Sequence, residues 1–501
     1  MTLLSVIAFC AIVFGVAVRF YWGYTRGSAH DTWYHLYIAD RIRREKRLPE
    51  RVEQFLVPGP YDYPPGIHLL LASVPRKIAL RFNWLLAPVV ETLHILLLIG
   101  VTYSLTQDVA VALVAGSIYA TYSTLIVQFS ALTPRVLGAL LVSVLVLLVF
   151  YGVQTDLILP LVAAVLVGVV LLHTHKMSSQ TVLFLFAFLS VLWVDPTYIG
   201  FVAAMVIVAV LASGGYYLTI LRGHFNIIDF WRRQHRAGRP PGEFIRRYGH
   251  DVSDTDDAES PLSKLLVWVM HKEYHMVFAD NAWSYLFAGV LAWGTFVEPG
   301  LYGDLPPFVD KLAVWALFIV GFGLLTQYVP YFKLVGEGWK YFMWGAFPTA
   351  VVLAVALPLS NVWVAAGFGI VLVANAAYGF VRMSLRVSGE KTSARNIRID
   401  GSAVLEFLNE AEGTNAFPLP FGMSFHILYE TDVNILFHQN PKLAAEAAFP
   451  LPIEPLADIA DEFDIDYLVV DTQMVDITKF DTDSFEPVFE DADYLALEYQ
   501  K

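Results

Sequence analysis

The chain is poor in charge and nearly devoid of cysteine. Only 16% of its 501 residues are Asp, Glu, Lys or Arg, against about a quarter in an ordinary soluble domain. With 56% hydrophobic residues and a mean hydropathy of +0.55, that scarcity excludes a purely water-soluble globule. The single cysteine, Cys10, excludes a disulfide framework within one chain. Set in an apolar run, it reads as a small packing residue. The opening stretch MTLLSVIAFCAIVFGVAVRF lacks the basic residues that begin a cleaved signal peptide. It is expected to be a retained helix that also directs insertion. No Gly-rich phosphate loop is present, which disfavours a nucleotide-driven pump. The apolar runs are continuous rather than alternating, so membrane helices are expected and a barrel is not.

What the chain does have is apolar windows. They fall at about 2–20, 84–105, 108–125, 136–153, 157–173, 180–194, 197–220, 282–297, 311–329, 341–358 and 361–384. Windows near 20 residues span a bilayer, and these predict roughly eleven transmembrane helices. Three polar segments interrupt or follow them: 23–83, 221–281 and 390–501. The expected layout is an all-α polytopic membrane domain over 1–389, with outer loops 23–83 and 221–281. A small soluble α/β domain over 390–501 follows it.

Several features support a folded tail. SAVLEFLNEA has helical spacing, with Ser402 as a candidate cap. VNILFH and DYLVVD are short β-rich runs, and PLADIADEF between them has the period of an amphipathic helix. Strand and helix signals in alternation argue for a sheet covered by helices. From Ile399 to Lys501 there are 22 acidic residues, three lysines and no arginine, a balance of −19 that leaves +6 on the remainder. An acidic, lysine-poor surface suits high salt, where charge maintains solubility. This points to a halophilic, archaeal source.

Topology brings a conflict. With an odd number of helices and a cytoplasmic N-terminus, all three polar segments lie outside. They hold most of the Lys and Arg, which the positive-inside rule would keep in the cytoplasm. The rule weakens for long loops, and the outside placement is the expectation carried forward: a multi-pass cell-membrane protein with an extracellular tail.

The stretch HDTWYHLYIADRIRREKRLP, His30 to Pro49, follows the first apolar run. Asp31 and His35 are four apart and share a helix face. Trp33, Leu36, Ala39 and Ile42, with Ile38 beside them, form an apolar face suited to a membrane surface. In YDYPPGIHLLLAS, Tyr63 precedes two prolines that set an extended entry into a short helix carrying His68. A carboxylate where a membrane helix meets its loop could deprotonate or orient a hydroxyl. The plainer alternative makes Asp31 a helix cap and Arg41–Arg51 a solvated interfacial face.

In order, a first membrane helix, an Asp at its exit, DTWYHLYIADRIRREKRLP and then YPPGIHLLLAS resemble the GT-C superfamily of membrane glycosyltransferases. That group includes protein O-mannosyltransferases, aminoarabinose transferases and the catalytic subunit of oligosaccharyltransferase. SALTPRVLGALL (Ser130–Leu141), LLHTHKMSSQTVLF (Leu171–Phe184) and GEGWKYFMWGAFP (Gly336–Pro348) add to the likeness. Lys340 stands where the family more often has Arg.

The resemblance implies an enzyme. It would move a sugar from a polyisoprenyl-phosphate carrier to an acceptor (protein, glycan or lipid) on the extracytoplasmic side, with membrane lipids around it. Asp31 matches the family's catalytic carboxylate. His35, Tyr63 and His68 would shape the pocket, joined by His175 and Tyr341. Arg135, Lys176 and Lys340 at helix ends would meet the leaving phosphate.

Each residue has a plainer role. Arg135 could snorkel to headgroups. His173 and His175, two apart, diverge on a helix and suit capping better than metal ligation. Lys340 could pair with Glu337, and Trp339 and Tyr341 could sit in an interfacial belt. The second outer loop, TYSTLIVQFSALTPR, has no Asp or Glu. It lacks the acids that help hold a divalent metal in oligosaccharyltransferase-like members, so no metal ligands are assigned and a metal cofactor is disfavoured. The basic stretch Arg232–Arg247 lacks a nucleic-acid module and would meet anionic headgroups or overlie the site. The rival class is a non-enzymatic polyisoprenyl-lipid transporter or assembly scaffold. An ion or substrate path would put charges in mid-helix, whereas the ionisable groups are expected to gather at helix ends.

Overall fold

The computed structural model describes residues 3–26, 30–57, 59–129, 132–238, 247–249, 276–297, 306–357, 361–392, 403–411, 413–436, 448–449, 452 and 454–501. Contacts divide the chain into two units. One comprises Met1–Gly27, Phe82–Gly214 and Ala258–Leu385; the other comprises Ser28–Arg81, Gly215–Asp257 and Arg386–Lys501.

The first unit is helical. Most apolar windows coincide with one helix, but 108–125 divides into Val109–Ala120 and Ser123–Gln128, 197–220 breaks after Thr197–Ala212, and 341–358 opens in the 3-10 segment Gly338–Gly345 before Ala346–Ala356. Five helical stretches are long and apolar enough to cross a membrane: Leu3–Thr25, Arg76–Thr106, Pro134–Thr155, Pro307–Tyr328 and Val362–Ser384. Val109–Ala120, Ile158–Leu172, Lys176–Leu192 and Thr197–Ala212 are shorter apolar helices. Cys10, expected to pack, lies on an exposed face of Leu3–Arg26 instead.

Charges do occur inside these helices, against the expectation that they gather at the ends. Arg19 and Glu91 are almost wholly buried and face each other, Nε to Oε2, at 3.5 Å. Their setting explains the pairing. Val109–Ala120 has only 12 residues, about 18 Å of helix, and its last carbonyls need partners that lipid cannot supply. Arg19 donates to the carbonyls of Ala120 at 2.6 Å and Tyr119 at 3.4 Å, a cation at a helix C-terminus. Gly15, one turn earlier, lets the chains approach: a Cβ there would sit 2.5 Å from the Ala120 oxygen. Glu91 Oε1 accepts from the Tyr119 hydroxyl at 3.2 Å. That hydroxyl also bonds His94 Nδ1 at 2.6 Å, and His94 Nε2 bonds the Ser143 hydroxyl at 2.8 Å.

The second unit gathers parts of all three polar segments. Its sheet has five strands: β1 (Asn415–Leu419), β2 (Asn434–Ile435), β3 (Tyr467–Asp471), β4 (Phe485–Glu490) and β5 (Tyr494–Tyr499), in the order β2-β1-β3-β5-β4. β2, β1 and β3 run parallel, while β5 pairs antiparallel with β3 and β4. The expected strands are β2 and β3. The expected amphipathic helix is Leu456–Phe463, which buries Leu456, Ile459 and Ala460 at its i, i+3 and i+4 positions. The SAVLEFLNEA helix is Ala403–Glu410, with Val404, Leu405 and Leu408 buried; Ser402 lies outside the described residues.

The first loop completes this sheet. Leu56 donates its N–H to the Ile435 carbonyl at 3.0 Å, and Ile435 donates to the Gln54 carbonyl at 2.8 Å. Residues 54–56 thus cover the β2 edge, which would otherwise present unpaired backbone groups. The helix His30–Glu45 packs into the same core: Tyr34, Tyr37, Ile38 and Ile42 join Leu405, Leu408, Phe425 and Ile427 in one buried cluster. The apolar face expected on a membrane surface is therefore a core face. From the second loop, the helix Tyr216–Arg236 includes Arg232 and Arg233, both paired with Asp229. Gly249 bridges to Val475, and Asp476 donates to the Tyr248 carbonyl at 2.8 Å. The rest of that basic stretch, 239–246, and the acidic run 251–260 lie outside the described residues.

Two outcomes follow. Phe55→Ala should cost about 3–5 kcal/mol and expose the first loop and the tail to protease together, as limited proteolysis of the purified chain will show. Glu91→Gln should cost about 3–5 kcal/mol by leaving the Arg19 charge buried without its partner. The double variant Arg19→Met/Glu91→Leu should recover part of the loss in unfolding midpoint.

Candidate active site

Asp31 occupies the first turn of His30–Glu45, where a carboxylate suits the positive end of the helix, and its side chain is exposed. Asp31 stands second in this helix and not at the cap position, and its exposed carboxylate is open to a substrate. One turn on, His35 is fully buried. Its Nδ1 lies 2.8 Å from His68 Nε2, and His68 Nδ1 bonds the Tyr61 hydroxyl. Both imidazoles are neutral. Burial lowers His35 to about 4, opposed by the nearby Asp31 carboxylate. Burial, then His35, hold His68 well below its usual value. Two concerted proton arrangements satisfy this chain, with every hydrogen donated in one direction or the other.

Tyr63, half-buried, packs against both rings at 5.7 Å from His35 and 5.5 Å from His68, centroid to centroid. The Pro64–Pro65 pair leads from it into the helix Gly66–Ala72 that carries His68. The neighbouring residue escaped the sequence reading. Asp62 is buried at 2% exposure, among tyrosines whose ionisation it opposes: Tyr34, Tyr61 and Tyr216 are all raised, first by burial. Gly223 faces it so closely that a Cβ would lie 2.5 Å from Asp62 Oδ2. The signal in YDYPPG was a carboxylate inside an aromatic, proline-bound turn. Tyr61 had no distinguishing mark beyond its place there.

Arg135, His175, Lys176, Lys340 and Tyr341 belong to the first unit, which holds its own polar group. The two histidines of HTHK divide between helix ends, as the capping alternative has it. His173 follows Ile158–Leu172, while His175 caps Lys176–Leu192 by accepting from the Ser178 N–H at 3.2 Å. The Ser178 hydroxyl also bonds His175 Nδ1 at 2.9 Å and accepts from Trp344 Nε1 at 3.1 Å. Tyr341 is buried beside Trp344, its hydroxyl facing the Val335 carbonyl at 3.1 Å and Gln180 Oε1 at 3.3 Å. His175 and Tyr341 are thus brought together through Ser178, Trp344 and Gln180, which the sequence reading did not name.

The cations differ among themselves. Lys176 is buried in the first turn of its helix. Arg135 donates to Gln128 Oε1 at 2.8 Å. Lys340 pairs with Glu337 at 2.5 Å and lies over the Trp339 ring. Gly138, one turn after Arg135, would meet Ser178 Oγ at 2.3 Å if it carried a Cβ, so that helix starts close against the His175 cap. Among the described residues no three His, Cys, Asp or Glu side chains converge in a way that could hold a metal ion.

No family model matches the chain, and no curated protein matches its sequence. Solved structures do match its fold. An Archaeoglobus fulgidus oligosaccharyltransferase, solved with zinc and sulfate, superposes with a TM-score of 0.55 at 14% identity, over 93% of this chain and 68% of that one. ArnT from Cupriavidus metallidurans, bound to undecaprenyl phosphate, gives 0.54 at 12% identity over 97% of each chain. At such identities the likeness defines the fold: this chain has the GT-C fold that the sequence resemblance implies.

The buried histidines carry a pH prediction. The unfolded chain protonates His35 near 6.5 and the folded chain near 4. Stability is therefore full above the unfolded value and falls as pH drops from about 6.5 toward 4, by roughly 3 kcal/mol from this residue. His68 acts in the same direction. His35→Gln should remove part of that acid sensitivity in a plot of unfolding midpoint against pH.

Proposed function

We propose that the chain is a membrane glycosyltransferase that takes a sugar from a polyisoprenyl-phosphate-linked donor and passes it to an acceptor at the extracytoplasmic face. The observation that carries this reading is Asp31: an exposed carboxylate just after the first apolar helix, backed one turn on by the neutral His35–His68–Tyr61 chain, on a GT-C fold. In the proposed step Asp31 accepts the proton of an acceptor hydroxyl or amide. The acceptor forms the new bond to the anomeric carbon as the bond from that carbon to the phosphate oxygen breaks, and the lipid phosphate leaves with the electron pair. In the second unit His35, Tyr63 and His68 are the proposed substrate-binding side chains that accompany Asp31; in the first unit His175 and Tyr341 are the proposed substrate-binding side chains that accompany the cations. Arg135, Lys176 and Lys340 receive the phosphate, and Lys340 must leave Glu337 to do so. ArnT, with undecaprenyl phosphate bound, supports the donor class.

The proposed layout has about eleven membrane helices within 1–389, outer loops 23–83 and 221–281, and the soluble domain 390–501 outside the cell, in a halophilic archaeon. The acid-free second outer loop argues against a divalent metal of the oligosaccharyltransferase kind.

A lipid transporter is the second reading, and the mid-helix Arg19, Glu91 and His94 are the observation that favours it. These groups, however, are held by one another, by helix-end carbonyls and by Tyr119 and Ser143, an arrangement suited to a fixed brace.

Asp31→Asn should lower transfer from the natural donor by about 10²–10⁴-fold at unchanged expression, the contribution expected of a general base. Full turnover by this variant would sink the assignment.

A further inference from the structure

We propose that the second unit holds a binding site for a phosphate-bearing ligand at the far end of the helix that carries Asp31. A pocket of about 220 Å³ opens there, lined in part by Arg43, Arg44, Arg76, Tyr37, Gln54 and Asp432. Its volume equals roughly seven waters at liquid density, enough for a phosphate and a few attached atoms. Arg43 and Arg44 follow Asp31 by 12 and 13 residues on one helix, about 18–20 Å along its axis. The pocket is therefore distinct from the candidate catalytic carboxylate.

Its walls are set before any ligand arrives. Arg43 donates to the Leu71 and Val74 carbonyls, each at 2.7 Å, and pairs with Asp40. Arg76 Nε donates to the other Asp40 oxygen at 2.8 Å, and its Nη2 reaches the Tyr429 hydroxyl at 3.3 Å. The Tyr37 hydroxyl bonds Gln54, whose amide donates to the Thr431 carbonyl at 3.4 Å. Asp40 thus serves two guanidinium groups. The third, Arg44, makes no side-chain hydrogen bond or ion pair among the described residues, and neither does Asp432. Three cations face two carboxylates, in a unit whose tail carries a balance of −19. Guanidinium forks beside tyrosine hydroxyls match phosphate oxygens, and Asp432 can accept a hydroxyl or ammonium on the same ligand. Arg76 begins a helix long and apolar enough to cross a membrane. The phosphate can therefore belong to a lipid headgroup or to a soluble phosphate ester.

The test uses the full-length chain in lipid nanodiscs and needs no sugar donor, so its outcome is independent of the transfer assay. One arm titrates inorganic pyrophosphate in phosphatidylcholine discs. The other compares unfolding midpoints in discs with and without phosphatidylglycerol. Arg44→Gln should weaken pyrophosphate binding, or the stabilisation by phosphatidylglycerol, by about tenfold in affinity, as expected for one lost charge-assisted hydrogen bond. Arg44→Lys should retain part of it. An Arg44-dependent response to pyrophosphate assigns a soluble ester, and one confined to phosphatidylglycerol assigns a headgroup. No Arg44-dependent response in either arm overturns the site. So does an equal loss in Arg47→Gln, an exposed arginine outside the pocket, because binding would then be diffuse charge attraction.

Discussion

The helix that carries Asp31 has no core of its own. Residues Tyr34 through Ala39 are buried in an unbroken run, so the middle of the helix is covered beyond its apolar stripe. The C-terminal sheet and the helix Ser424–Glu430 close over Tyr34, Tyr37, Ile38 and Ile42, and Trp33 stacks on His426 with ring centroids 4.2 Å apart. In return, residues 54–56 complete the sheet edge. Burial of this many aromatic and branched side chains is the largest favourable contribution available to the unit. It makes the first loop and a tail more than 350 residues away in sequence one folding problem.

That shared core gives the candidate site its character. A histidine in water is half-charged near neutral pH, but His35 and His68 sit where charge is expensive and stay neutral. Asp31, in the first turn of the helix that carries His35, is exposed. Burial thus keeps His35 neutral one helical turn from an exposed carboxylate. The tail meets the helix of Asp31 through Tyr34, which packs against both the His68 ring and Phe425.

The membrane unit answers to another constraint. A helix ending among apolar neighbours leaves carbonyls that only protein can satisfy. Arg19 meets those of Tyr119 and Ala120, and Glu91 balances Arg19. Both residues were visible within apolar windows, and ionisable groups there are a recognised signal. Their partnership was not visible, because it depends on where Val109–Ala120 stops and on the close approach that Gly15 permits. HTHK was more legible: two histidines across a helix break read naturally as caps, and His175 is one.

Taken alone, the sequence determined what depends on local composition and period. That covers the membrane class, the positions of the apolar helices, the acidic α/β tail with two of its strands, and Asp31 at the exit of the first helix. These follow from residue type within a turn or two, where hydropathy and 3.6- or 2-residue periods act. Only the tertiary structure decided that the amphipathic face of His30–Glu45 is a core face rather than a membrane surface. It also decided that Asp62 is buried among tyrosines, and that Arg43 and Arg76 share one carboxylate while Arg44 has none among the described residues. An apolar stripe reads the same whether lipid or protein covers it, and a charge reads the same whether paired or not. What covers and pairs them comes from segments tens to hundreds of residues away, and their arrival is a property of the fold.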